Sequence, residues 1–75
     1  MQNIEWQEVD MKDVGNRLRE LRGIRTRVGV AKELKINPTR LANYEHGTRC
    51  PDNDMLNRLA DYYKVSANYI LYANG

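Results

Sequence analysis

The chain has one cysteine, Cys50, and one histidine, His46. An internal disulfide cannot form from a single thiol, and a zinc site of four sulfur and imidazole ligands is out of reach, so two common staples of small domains are excluded. The cysteine usage reads as that of a reducing compartment. No apolar run approaches the roughly 18 residues that span a bilayer. The start, Met1-Gln2-Asn3-Ile4-Glu5, lacks the basic residues of a signal peptide. Together these set the expectation of a cytoplasmic protein with no membrane partner. Period-two alternation of useful length is missing, which argues against a sheet. Paired carboxylates, a nucleophile beside a base and a metal-ligand cluster are also missing, so no enzyme, cofactor or small-molecule ligand is expected.

What is present suits one small helical domain. The chain has 75 residues, 41% of them apolar and 29% charged, enough for a thin core of its own and too apolar for a disordered chain. The formal net charge is only +2, but it is unevenly divided. Residues 1–15 hold Lys12 against Glu5, Glu8, Asp10 and Asp13. Residues 50–75 hold Arg58 and Lys64 against Asp52, Asp54 and Asp61. Between Arg17 and Arg49 nine bases face only Glu20, Glu33 and Glu45. A basic centre between acidic ends is the electrostatic footprint expected of a nucleic-acid surface, with a merely solvated face as the alternative.

Five helices are legible from caps and spacing. Met11, Val14, Leu18 and Leu21 recur at three and four residues, which predicts a helix from about Met11 to Arg22, with Asp10 and Asp13 at its start and Gly23 as its stop. Thr26 caps a second helix, Arg27 to Leu34, that turns Val30, Ala31 and Leu34 inward; Gly29 inside it costs about 1 kcal/mol. Asn37 as N-cap with Pro38 in the first turn starts a third, with Leu41 and Tyr44 apolar and Gly47 as its end. Asp52 caps a fourth, carrying Met55, Leu56, Leu59, Ala60 and Tyr63, and Ser66 caps a fifth that runs to about Tyr72 with Ile70 and Leu71 facing back. Residues 1–9 show no pattern and stand apart as an N-terminal segment in which Ile4 and Trp6 either dock or fray. Residues 10–75 form the domain.

The second and third helices, joined through Lys35-Ile36, have the spacing of a helix-turn-helix. The fuller pattern runs through Thr26, Val30-Ala31, Leu34, Ile36-Asn37, Leu41, Tyr44-Glu45, Gly47 and Pro51. It continues as Leu56-x-x-Leu59-Ala60-Asp61-Tyr62-Tyr63-x-Val65-Ser66-x-x-Tyr69-Ile70-Leu71. Over roughly residues 14–72 this resembles the Cro and C1 repressor-like helix-turn-helix family. The resemblance implies an all-α, compact five-helix, lambda-repressor-like DNA-binding domain whose third helix enters the major groove.

On that footing the outer face of the third helix supplies base readers. Asn43 suits the N6 and N7 edge of adenine, Arg40 suits guanine O6 and N7 or a phosphate, and Thr39 suits a base or a thymine methyl. Pro38 offers apolar contact only, beside its local role of starting the helix. Thr26 and Arg27 at the start of helix two, and Thr48 and Arg49 after helix three, are expected at phosphates. Arg27 stands where the resembling family usually has glutamine. Arg17 and Arg25 either join these contacts or stay solvated. Arg22 and Glu45 match family positions that form an ion pair between the first and third helices. His46 reads as a polar residue near the helix end, Cys50 as a small loop residue, and Tyr62, Tyr63, Tyr69 and Tyr72 as core or interface rings. Two departures stand out: Lys35 occupies a turn position where glycine is usual, and the connection Gly23-Ile24-Arg25 is about two residues shorter than the usual form.

The expected function is a sequence-specific regulator of transcription, a repressor that binds double-stranded DNA. As a homodimer it would read half-sites of a near-palindromic operator about 34 Å apart. The end of the fifth helix (Tyr69, Tyr72), and second the Ile4-Trp6 segment, are the candidate dimer surfaces. An antitoxin of a toxin–antitoxin pair on the same domain, and a protein-interaction module that has kept only the scaffold, are the alternatives.

Overall fold

The computed structural model describes residues 9–73. They form α1 (Met11–Arg22), α2 (Arg27–Leu34), α3 (Pro38–His46), α4 (Asn53–Tyr63) and α5 (Ala67–Tyr72), with no strand among the described residues. Ile4 and Trp6 lie outside the described residues.

Each helix begins where a short polar side chain satisfies a first-turn amide that has no partner within the helix. Asp10 accepts from Lys12 N at 2.9 Å, Thr26 from Gly29 N at 3.0 Å and Asn37 from Thr39 N at 2.7 Å. Asp52 accepts from Met55 N at 2.8 Å and Ser66 from Tyr69 N at 3.0 Å. Pro38 sits at the first position of α3, where its missing N–H costs nothing.

Three of the helices close in the same way. After α2, Lys35 is left-handed at φ 60°, and the amide of Ile36 reaches back to Ala31 O at 2.9 Å. After α3, Gly47 is left-handed at φ 76°, with Thr48 N on Asn43 O at 3.0 Å. After α4, Lys64 is left-handed at φ 58°, with Val65 N on Ala60 O at 3.0 Å. This is the Schellman geometry, in which the residue beyond the left-handed one folds over the last turn. Ile36 and Val65 use it to pack against the core. Lys35 therefore holds a conformation that suits glycine, and Lys35→Gly is expected to raise stability by about 0.5–1 kcal/mol, net of the extra freedom glycine has when unfolded. Thermal melting should show a gain of about 4 °C; a lower midpoint would mean that the lysine bears no strain.

The core collects Val14 and Leu18 from α1, Val30, Ala31 and Leu34 from α2, Leu41 and Tyr44 from α3, and Met55, Leu56, Leu59 and Ala60 from α4. Ile70 and Leu71 of α5 complete it. Val9, ahead of the first cap, joins it at 7% exposure. Most apolar positions read from helical spacing meet here; Leu21 and Tyr63 are only partly buried against the core, and Met11 is half-buried outside it.

Long arginines tie the helix ends together. Arg17 donates through Nε to Ile70 O and through Nη2 to Leu71 O, both at 2.6 Å, so it caps the end of α5 from 53 residues away. Arg58 of α4 donates to Leu34 O at the end of α2. Cations at helix C-termini satisfy free carbonyls and oppose the helix dipole. Arg25 folds back to Leu21 O at 3.0 Å and lies over the rings of Tyr62 and Tyr63, 5.5 and 5.4 Å from their centroids. Both are engaged in holding the fold, Arg17 half-buried and Arg25 still exposed, because each lies within reach of free carbonyls or ring faces.

Candidate nucleic-acid interface

The site begins with how α3 is rolled. Leu41, Tyr44 and Glu45 are its buried residues. At 100° per residue this leaves Thr39, Asn43 and His46, spaced at i, i+4 and i+7, on the opposite side of the helix. Thr39 and His46 are exposed and Asn43 is half-buried. Pro38 is exposed and Ala42 half-buried at the edge of this face. The outer surface is thus short, polar and free of apolar bulk.

Glu45 fixes the roll. It is 1% exposed, and its carboxylate accepts from two arginines on two other elements. Arg22 Nε lies 2.8 Å from Oε2 and its Nη2 3.1 Å from Oε1. Arg27 Nε lies 2.8 Å from Oε1. Burial pushes this carboxyl up, but the hydrogen bonds and charges of Arg22 and Arg27 outweigh it and hold Glu45 below the usual carboxylate range. The hydrogen bond that Arg22 donates to Glu45 in turn raises the pKa of the guanidinium. Arg22 also donates to Arg25 O at 2.6 Å, which pins the short α1–α2 connection.

Arg27 therefore does more than stand free at the start of α2. Beside its bond to Glu45, its Nη2 lies 3.3 Å from His46 Nε2. A guanidinium has five N–H groups, so two contacts leave three for an anion. The first turn of α2 and the last turn of α3 are joined at this point, and His46, the last residue of α3, is also part of the outer face. Thr26 spends its hydroxyl oxygen on the α2 cap.

Arg40 turns back along its own helix: Nε donates to the Tyr44 hydroxyl at 2.6 Å and the guanidinium lies 5.7 Å from the Tyr44 ring centroid. Thr48 directs its hydroxyl at Asn43, 3.2 Å from the backbone oxygen and 3.3 Å from Oδ1. Arg49 is exposed in the loop after α3 and has no hydrogen-bond or ionic partner among the described residues. Glu45, Arg27 and His46 converge, Asn43 and Thr48 converge, and Arg17 and Arg25 lie elsewhere.

Sequence reasoning missed Gly15. A Cβ built there would lie 2.3 Å from Glu45 O, 2.8 Å from Glu45 C and 2.9 Å from Tyr44 O. The backbones of α1 and α3 touch at this residue. Its signal was present: a glycine inside a strong helical pattern is unfavourable by about 1 kcal/mol unless close packing requires it.

No helix among the described residues is long and apolar enough to cross a membrane, and no cluster of three or more His, Cys, Asp or Glu side chains among them could hold a metal ion. A family model described as a helix-turn-helix domain matches residues 15–75. Over 60 residues the chain is also 40% identical to the HTH-type transcriptional regulator ImmR of Bacillus subtilis (strain 168); the match covers 77% of this chain and 47% of that protein. The chain thus spans about half the length of this curated relative.

Proposed function

The chain belongs to the helix-turn-helix family of the Cro and C1 repressor type, and from that premise we propose that it is a DNA-binding regulator of transcription that reads sequence through α3 in the major groove. The observation that carries this reading is the polar outer face of Thr39, Asn43 and His46, held opposite a buried face that is anchored at Glu45. In this arrangement the first residues of α3 meet base edges while α2 crosses the backbone. Arg27, with three N–H groups left, and Arg49, exposed beyond α3, serve phosphates on the two sides; Thr26 lies next to Arg27 at the same helix start. Asn43 and Thr39 read bases, and Pro38 adds apolar contact at the helix start. Arg40 donates one N–H to Tyr44, and the other four remain for a base or a phosphate.

A domain this small covers one half-site, so we propose a homodimer on a near-palindromic operator, acting as a repressor. Selection of bound sequences from a random DNA pool at stated salt tests both parts. Recovery of paired half-sites about one helical turn apart is the expected result, and recovery of no preferred sequence would overturn the reading.

Base and phosphate roles separate in binding titrations. Asn43→Ala should lose about 1–3 kcal/mol at the selected site with little change on unrelated DNA. Arg49→Ala should weaken all DNA alike and reduce the slope of log K against log salt by about one. Equal losses on every sequence for Asn43→Ala would remove it as a base reader.

A further inference from the structure

We infer that Thr48 is a positioning residue that fixes the carboxamide of Asn43 and so sets base specificity, instead of serving as a phosphate contact. The inference rests on the reading of α3 given above.

The argument starts from the closure of α3. A Schellman end brings the residue after the left-handed one over the residue five positions back, and that pair usually makes an apolar contact. At the ends of α2 and α4 the overlying residue is Ile36 or Val65, each packed against the core, and the residue five back is Ala31 or Ala60. At the end of α3 the same two positions hold Thr48 and Asn43, and neither is apolar. The geometry that elsewhere seals the core here joins two polar side chains at the proposed reading face.

Thr48 has two hydrogen-bond donors, and both are spent on Asn43. Its backbone N–H is 3.0 Å from Asn43 O. Its hydroxyl lies 3.2 Å from that oxygen and 3.3 Å from Oδ1. A phosphate oxygen only accepts, so in this conformation Thr48 has no proton to give one. Asn43 gains what Thr48 gives up. A free asparagine amide rotates between two near-equivalent faces, and presenting the wrong one exchanges donor for acceptor. With Oδ1 turned toward Thr48, one of its lone pairs shares the single hydroxyl proton with the Asn43 backbone oxygen. The second lone pair and the Nδ2 hydrogens remain for a base edge, in a fixed order of acceptor and donor. Matching adenine N6 and N7 requires that order.

The test uses the full chain with Thr48→Val, which removes the hydroxyl and keeps the branched shape, and Thr48→Ser, which keeps the hydroxyl. The pair of sites is the selected operator and the same operator changed at the base pair whose discrimination is lost in Asn43→Ala. Thr48→Val should lower the ratio of the two affinities by about tenfold and leave unrelated DNA and the salt slope unchanged. Thr48→Ser should stay within about twofold of the parent ratio, and Thr48→Val placed in Asn43→Ala should change the ratio no further. Thr48→Val weakening all DNA alike with a shallower salt slope would overturn the inference in favour of a phosphate contact. An unchanged ratio would overturn it outright. A parent chain that selects no sequence would instead overturn the reading of α3, and that result is in hand before any Thr48 variant is made.

Discussion

Gly15→Ala is expected to lower the stability of the domain by about 3 kcal/mol. In an isolated helix the same change would be worth about 1 kcal/mol in the opposite direction, because alanine is the better helix former. Tertiary contact reverses the sign. The new Cβ would stand 2.3 Å from the backbone oxygen of Glu45, and a peptide carbonyl cannot swing aside as the end of a side chain can. Relief requires α1 and α3 to separate, which loosens Tyr44 and Glu45 together. A domain of this length has roughly 4–11 kcal/mol of stability in all, so much of the margin goes. Urea unfolding should show a lower midpoint with an unchanged slope. A midpoint at or above the parent value would mean that the two backbones are further apart than described.

Arg22→Ala should cost a similar amount, about 3 kcal/mol, for an electrostatic reason. Removing one partner of a buried ion pair leaves the other charge without compensation. Glu45 would remain buried with Arg27 alone, which is why the effect sits at the low end of what such deletions do. Replacing both partners, as Arg22→Met with Glu45→Leu, should recover most of the loss, since Arg27 is 34% exposed in its side chain and can turn to water.

The same pair sets an acid limit. Arg22 and Arg27 hold Glu45 below its ordinary value in the folded state, while in the unfolded chain it returns to about 4.3. A carboxyl lowered on folding contributes stability above the unfolded value and loses it as pH falls through the folded one. Stability should therefore drop below about pH 4 in the parent. In Arg22→Ala, Glu45 is held down less, so the acid-induced loss should be smaller and complete at higher pH. Unfolding midpoints measured across the acid range check the sign, and identical pH profiles for the two proteins would refute it.

Much of the fold was legible because it is local. A cap is a side chain bonding an amide two or three residues on, so Asp10, Thr26, Asn37, Asp52 and Ser66 could be placed from neighbours alone. The apolar stripes follow from helical period in the same way. The inner and outer faces of α3 followed too, since Leu41 and Tyr44 leave Thr39 and Asn43 on the other side. The left-handed Lys35 was foreseen as a conflict between residue type and turn. Lys64 is left-handed as well, and a lysine carries no local signal for that conformation.

The arginines mark the boundary of such reading. Arg17, Arg25, Arg27 and Arg40 have the same side chain and in sequence look equally suited to phosphate. In the fold, Arg17 caps α5, Arg25 covers two tyrosine rings, Arg27 shares Glu45 with Arg22, and Arg40 leans on Tyr44. A long flexible cation takes whichever carbonyl, carboxylate or ring lies within reach, and that depends on residues up to 53 positions away. Charge division along the chain located the basic centre, but only packing decided which of its charges remain available.

Five helices, their starting points, most of the core and the polar face of α3 follow from local sequence, because each rests on bonds or periodicities within about one or two helical turns. That Gly15 lets α1 and α3 touch, that Glu45 serves two arginines, and that Thr48 lies over Asn43 emerges only when the helices pack. Those three depend on how closely and at what angle the helices pack, a balance of shape and charge across the whole core that no short stretch of sequence contains.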